Sequence, residues 1–152
     1  SICSKGNVKM CTSLKLLQHH TEQFFDKHWS EKISDKHPEW SKAWELEGSM
    51  PNHDKQGVYV FIEDDEITYI GSGAGRGKGG YERHGLGARI AHYIRLNEKG
   101  DGYIVRQNGK LSDRAHIRTI GFESGYGYLA VSLEQYLISK LKTKGNVVKA
   151  GS

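Results

Sequence analysis

An α+β fold is predicted, with a small antiparallel sheet of about three strands flanked by helices and an N-terminal helical extension. Residues 57–62 are β-branched and aromatic, and residues 67–70 repeat this character after the charged turn Glu63–Glu66, which is typical of a β-hairpin. Apolar side chains recur at near-helical spacing over residues 13–47. A leucine stripe over residues 129–142 predicts an amphipathic helix.

The remaining elements follow from local signals. Thr12 or Ser13 is expected to cap the first helix of the N-terminal extension, residues 1–50, and Pro38 to begin a second one. All three tryptophans lie in this extension, so we expect it to pack onto the rest of the chain. Residues 86–98 are predicted to be helical, and residues 116–123 to form a third strand. The core domain is placed at residues 57–150, with a glycine-rich insertion at 71–87.

Composition narrows the class of protein. A chain of 152 residues allows one domain with its own core. Its mean hydropathy is −0.65, and no apolar run approaches the length of a membrane span or forms a signal peptide. The only cysteines, Cys3 and Cys11, do not make a disulfide framework. These features predict a cytoplasmic protein that does not associate with membranes.

Positive charge is concentrated in the second half of the chain. Residues 67–152 hold 14 basic and six acidic residues, a surplus of eight, and include all seven arginines. Arginine binds phosphate through two parallel hydrogen bonds, and a basic face attracts nucleic acid by releasing counterions. A solvated charged surface is the plainer interpretation, but the clustering favours a nucleic-acid partner.

Two tyrosine triplets flank the predicted hairpin turn. They are Gly57-Val58-Tyr59 and Tyr69-Ile70-Gly71, with nine residues between the two tyrosines. An antiparallel hairpin of this length brings both phenols onto one face, where they are able to position water and phosphate oxygens. Either tyrosine alone would more often be a structural strand residue.

This pattern resembles the GIY-YIG nuclease family, with Val58 in place of the middle isoleucine of the first triplet. The resemblance covers residues 57–148 and includes three later features. Arg89 and Tyr93 are spaced i, i+4 on the predicted helix, with His92 as the alternative to Tyr93. Glu134 lies on the last helix, and Asn146 follows that helix.

The resemblance implies a metal-dependent endonuclease that hydrolyses phosphodiester bonds, with double-stranded DNA as the expected substrate. Tyr59 would be the general base, while Tyr69 and Tyr93 would help to hold water or phosphate. Arg89 would stabilise the transition state. Glu134 would bind one Mg²⁺ or Mn²⁺, since Mg²⁺ commonly uses one or two carboxylates. These five residues form the predicted catalytic set.

Six further residues are expected to contact nucleic acid: Ser72, Arg76, Lys78, Arg83, His92 and Asn146. Asn146 is equally compatible with a structural place beside the helix end. Two other functions remain open. One is a non-catalytic nucleic-acid-binding module on the same scaffold, which would have no need of the complete catalytic set. The other is a toxin nuclease domain acting on RNA or DNA. The oligomeric state is left open by the sequence.

Overall fold

The computed structural model describes residues 13–74, 85–107 and 109–146. It is an α+β structure, as predicted, with a three-stranded antiparallel sheet and helices that include an N-terminal one. The elements in chain order are α1 (Leu14–His28), β1 (Gln56–Glu63), β2 (Glu66–Gly73), α2 (Leu86–Ile90), β3 (Ile94–Leu96), β4 (Tyr103–Val105), β5 (His116–Phe122) and α3 (Tyr128–Leu141). Within the described ranges, no helix combines the length and apolar character needed to cross a membrane.

The sheet has the strand order β2-β1-β5, so the first triplet lies on the central strand. Asp64 and Asp65 both have positive φ angles, of 52° and 62°, and join β1 to β2 in a two-residue turn. Such turns match the right-handed twist of the strands. The hairpin and the third strand are confirmed. The structure also contains a separate two-stranded ribbon, β3-β4, that the sequence did not predict.

The alternating side chains of the sheet enter two different cores. On one face, residues such as Val58, Val60 and Ile120 pack with apolar side chains of α1 and α3, which we call the helix-side cluster. On the other face, Tyr59 and Phe61 join the tyrosine-side cluster, which also contains side chains from α2, β3 and residues 44–50. Because β1 is buried on both faces, its side chains of either parity are apolar or aromatic.

Helix α1 begins where the sequence indicates. Ser13 is its N-cap, and the Ser13 hydroxyl accepts a hydrogen bond from the Leu16 amide at 3.3 Å. Lys27 and His28 lie in its last turn, where positive charge is favourable. Helix α3 also agrees closely with the prediction of 129–142.

The predicted second N-terminal helix is wrong. From Pro38 onwards the chain is irregular, and residues 41–44 run along the outer edge of β5. Ser41 N donates to Thr119 O at 2.7 Å, and Trp44 exchanges two backbone hydrogen bonds with Ile117. The sheet edge offers these hydrogen bonds, and the tryptophans pack onto the two clusters as expected, so tertiary contacts override the helical spacing.

The helix predicted over residues 86–98 is also much shorter, because α2 ends at Ile90. Residues 91–93 form a tight turn in which Tyr93 N donates to Ile90 O at 2.8 Å. The chain then becomes strand β3, and Tyr93 O accepts a hydrogen bond from Arg106 N at 2.7 Å. Pairing of β3 with β4 therefore replaces the continuation of the helix.

Gly71 is required by the close approach of β2 to a tyrosine ring. It pairs with Tyr59, and a Cβ atom at position 71 would lie 2.4 Å from the Cζ and Oη atoms of Tyr59. We expect Gly71→Ala to lower the free energy of unfolding by about 1–3 kcal/mol, the usual cost of overpacking. Urea unfolding followed by circular dichroism measures this loss.

Gly100→Ala is the matched control for that measurement. Gly100 has a φ of +74°, and a Cβ atom at this position would meet no heavy atom within 4 Å, so its substitution tests backbone strain without overlap. Its expected loss is about 1 kcal/mol. A Gly71→Ala protein as stable as wild type would contradict the close packing of the Tyr59 ring.

Candidate active site

Three phenols meet on the tyrosine side of the sheet. Tyr59 and Tyr69 come from neighbouring strands, with ring centroids 6.2 Å apart, so the hairpin does bring them onto one face. Tyr93 enters from the turn after α2, and its hydroxyl lies 3.2 Å from that of Tyr59. The exposed fractions of Tyr59, Tyr69 and Tyr93 are 0%, 4% and 7%. The three rings are therefore buried, and the hydroxyls of Tyr59 and Tyr93 are bonded to each other.

Arg89 is the cation of this group. It lies on the exposed side of the short helix α2, and its guanidinium hydrogen-bonds to the Tyr59 hydroxyl. That hydrogen bond raises the pKa of Arg89, so the guanidinium remains protonated at all ordinary pH values. Although the helix is shorter than predicted, the turn that follows still places Tyr93 beside Tyr59, which is bonded to Arg89.

Burial makes the two triplet phenols weak acids. It raises the pKa of Tyr59 well above its ordinary value, with the hydrogen bond to Tyr93 as the second cause, while the Arg89 hydrogen bond opposes the rise. Burial also raises the pKa of Tyr69 to about 12, assisted by Tyr93 and by the negative charge of Glu134 and opposed by Arg89. Both phenols are consequently protonated at neutral pH.

Glu134 is the acidic residue of the candidate site. It lies on α3 with 8% of its surface exposed, and the Ser72 hydroxyl of β2 donates a 3.0 Å hydrogen bond to its Oε1 atom. In the described part of the chain, no Lys, Arg or His nitrogen forms an ion pair with it. A buried carboxylate without a cationic partner is costly, and a bound divalent cation would offset that cost.

The Glu134 carboxylate and the Ser72 hydroxyl are oxygen donors of the kind that Mg²⁺ and Mn²⁺ prefer. Mg²⁺ binds hard oxygen ligands and usually keeps several waters beside one or two carboxylates. The described residues contain no group of three or more His, Cys, Asp or Glu side chains able to hold a metal ion. A cation here would have Glu134 as its carboxylate ligand and would keep several waters.

The structure places the predicted nucleic-acid contacts in different settings. The Ser72 hydroxyl donates to the Glu134 carboxylate, so it is engaged with that side chain rather than available on an outer surface. His92 is exposed, beside Ala88 and Arg106, on the outer side of the turn that directs Tyr93 inward. Arg76, Lys78 and Arg83 lie outside the described residues. Of the two alternatives, Tyr93 is therefore the one whose side chain lies beside Tyr59.

Asn146 is a structural residue in this arrangement. It is 2% exposed, and its amide accepts from Ile70 N at 2.8 Å and donates to Ile70 O at 2.9 Å. The Thr143 hydroxyl also hydrogen-bonds to it. The Asn146 side chain thus pairs with the outer edge of β2 at Ile70, as a neighbouring strand would. It has almost no exposed surface with which to contact nucleic acid.

One basic residue near the site is not apparent from the sequence. Lys110 lies with its Nζ atom 5.4 Å from the centre of the Tyr69 ring and donates a 3.1 Å hydrogen bond to Gly145 O. It belongs to the segment between β4 and β5, 41 positions after Tyr69 along the chain, and no local pattern links the two. The lysine adds a second positive charge close to the phenols.

No family model, curated protein or solved structure matches this chain. The geometry of the site is therefore the basis on which a function is proposed.

The two Asn146 hydrogen bonds generate a prediction about stability. Asn146→Ala removes the partners of both Ile70 backbone groups, and each buried group left unpaired costs about 1–3 kcal/mol. We expect the free energy of unfolding, measured in urea, to fall by at least about 2 kcal/mol. Asn97→Ala is the control, because Asn97 also makes two hydrogen bonds, to Asp101, but in an exposed loop. Equal losses in the two variants would contradict the structural role of Asn146.

Proposed function

We propose that the protein is a metal-dependent endonuclease of the GIY-YIG type that hydrolyses phosphodiester bonds in DNA. The observation that carries this proposal is the meeting of five residues from distant parts of the sequence. Tyr59, Tyr69 and Tyr93 form one group with Arg89, and the negative charge of Glu134 acts on Tyr69. A phenol is able to act as a general base, a guanidinium to stabilise charge on phosphate oxygens, and a carboxylate to bind a metal ion, and together these roles suffice for phosphodiester hydrolysis.

Each residue has a chemical role in the proposed reaction. The Arg89 guanidinium, held by Tyr59, faces the charge that develops on the phosphate oxygens and stabilises it without reorganisation. Tyr59, in its phenolate form, accepts the proton of the attacking water and becomes the neutral phenol, and Tyr69 and Tyr93 hold the water and phosphate in position. Glu134 would hold a divalent cation, which would supply positive charge to the phosphate oxygens. Double-stranded DNA is the proposed substrate, and the cytoplasm the proposed location.

A non-catalytic nucleic-acid-binding module is the second candidate. It is favoured by one observation, the full burial of Tyr59 with its raised pKa, since a general base works best with a pKa near the operating pH. The complete set of five residues favours the enzyme, because binding alone does not require a buried carboxylate whose charge acts on Tyr69 in a group of three phenols. A toxin nuclease domain would cut RNA or DNA. Offering RNA as a second substrate beside plasmid DNA decides which nucleic acid the protein cuts.

The direct test is conversion of supercoiled plasmid to nicked and linear forms in the presence of Mg²⁺, with wild type compared with Glu134→Gln. The amide keeps the shape of the side chain and its bond to Ser72 but removes the negative charge that binds a cation. We expect cleavage to fall below detection while binding of the plasmid in EDTA persists. Glu123→Gln, an exposed glutamate paired with Lys55, is the control and is expected to cleave normally. Full activity of Glu134→Gln would exclude Glu134 from the reaction.

The pH dependence of cleavage tests the role of Tyr59. If its phenolate is the active form and its pKa lies above 10, the ionised fraction rises tenfold for each pH unit below that pKa. Cleavage rates should therefore increase steadily from pH 7 to 9 without a plateau. Tyr59→Phe keeps the ring but removes the proton acceptor, so we expect a loss of at least about 10²-fold and a flatter pH profile.

Tyr126→Phe is the control for this measurement, since Tyr126 lies in the helix-side packing, away from the three phenols. Both proteins are checked for an unchanged midpoint of thermal unfolding. A Tyr59→Phe protein that cuts at the wild-type rate across this pH range would show that the phenol is a packing residue.

A further inference from the structure

A second site lies on the other side of helix α2 from the phenols. It is a pocket of about 430 Å³ between α2, the β3-β4 ribbon and residues 44–53. This volume falls in the range of about 300–1,000 Å³ that is usual for small-ligand pockets. Ile90 lines the pocket and also packs in the tyrosine-side cluster, so one helix forms a wall of both sites. The five predicted catalytic residues do not line it.

The lining of this α2 pocket combines aromatic and cationic side chains. Trp44 and Tyr103 contact each other, with ring centroids 5.6 Å apart, and form its aromatic wall. Arg95, Arg106 and His53 also line it, and no acidic side chain does so among the described residues. The pocket therefore offers an apolar surface for a ring and a positive rim for an anion.

Arg106 is held in place before any ligand arrives. Its Nε atom donates to Ile94 O at 2.8 Å, and its backbone N–H donates to Tyr93 O at 2.7 Å. These bonds fix the position of the guanidinium and connect it to the turn that carries the Tyr93 phenol. A fixed cation loses little conformational entropy on binding an anion. Arg106 also lines the shallow surface beside His92, which extends the basic rim along the outside of α2.

We propose that the α2 pocket binds one unpaired nucleotide of the nucleic-acid substrate, with the base against the Trp44 and Tyr103 wall and the phosphate at Arg95 and Arg106. Bases stack on aromatic side chains, and arginine binds phosphate through paired hydrogen bonds. An apolar peptide anchor would fill the same volume but would leave the cationic rim without a partner. The assignment to a nucleic-acid strand rests on the proposed nuclease function, while nucleotide binding itself does not.

The first experiment measures binding of free nucleotides, which needs neither metal nor cleavage. The four nucleoside 5′-monophosphates are titrated into the ¹⁵N-labelled protein, with ribose 5-phosphate as the probe that lacks a base. We expect mononucleotides to shift the backbone amide signals of Ile90, Ile94 and Tyr103, and ribose 5-phosphate to leave them unchanged. Unchanged signals with all four mononucleotides, or equal shifts with ribose 5-phosphate, would overturn the proposal.

Two variants locate the binding. Ser49 lines the pocket, so Ser49→Phe places a ring at its wall and should abolish the shifts. Arg95→Glu should weaken mononucleotide binding at least about tenfold, because a charge at the rim is reversed. Lys99→Glu makes the same change of charge in the exposed loop after β3, outside the pocket lining, and should bind as wild type does. Shifts that persist in both pocket variants would place the nucleotide elsewhere and refute the site.

The second experiment tests the strand assignment. Binding of two DNA duplexes is compared in EDTA, one fully paired and one with a single unpaired nucleotide. Wild type should bind the second about tenfold more tightly, near the lower end of base-stacking effects, and Ser49→Phe should lose this preference. Equal binding of both duplexes would overturn the strand assignment.

The two proposals fail separately. A protein that cuts plasmid but gives no nucleotide shifts retains the nuclease function and loses the pocket. A protein that gives the shifts but cuts neither DNA nor RNA retains the nucleotide site and loses the nuclease function.

Discussion

Burial of the central strand β1 on both faces is the constraint on which this structure depends. Its six inner residues are all buried, so each face of the sheet must be covered by other elements. Helices α1 and α3 cover one face, and α2 with the β3-β4 ribbon covers the other. The position of Tyr59 on that strand has a further consequence. Its hydroxyl is carried into the interior, where a polar group needs a hydrogen-bond partner, and Tyr93 and Arg89 provide two.

The absence of a side chain at two glycines is as important to this site as the side chains that surround it. Gly71 lets the Tyr59 ring lie against β2, and Gly57 lies so close to Ile120 O that a Cβ there would be 2.0 Å away. The two outer glycines of the triplets thus allow the sheet and α2 to close around the tyrosines. In this interpretation the glycines allow neighbouring backbone and rings to approach closely, so the two triplets pack together and orient the phenols.

Both edges of the sheet are protected, and each protecting group also connects to a site. Residues 41–44 cover the edge of β5, and Trp44 then forms the wall of the α2 pocket. Asn146 covers the edge of β2 beside Tyr69, close to where Lys110 bonds to Gly145 O. Covering an edge prevents pairing with other chains. Here the residues that cover the edges also hold in place the residues around the phenols and the pocket. The contacts that stabilise the sheet therefore also position the groups of the proposed sites.

The sequence by itself determined the elements with strong local signals: the hairpin, the third strand, α3 and the start of α1 at Thr12 or Ser13. It also predicted the five residues of the catalytic set, of which Tyr59, Tyr69 and Glu134 lie within those elements. The tertiary structure decided the rest. Residues 38–47 and 91–98 have helical spacing, yet residues 41–44 instead run along β5 and residues 94–96 pair with β4 as a strand. The buried place of Asn146, the approach of Lys110 and the α2 pocket arise from contacts between distant segments, and such contacts leave no periodic signal in the chain.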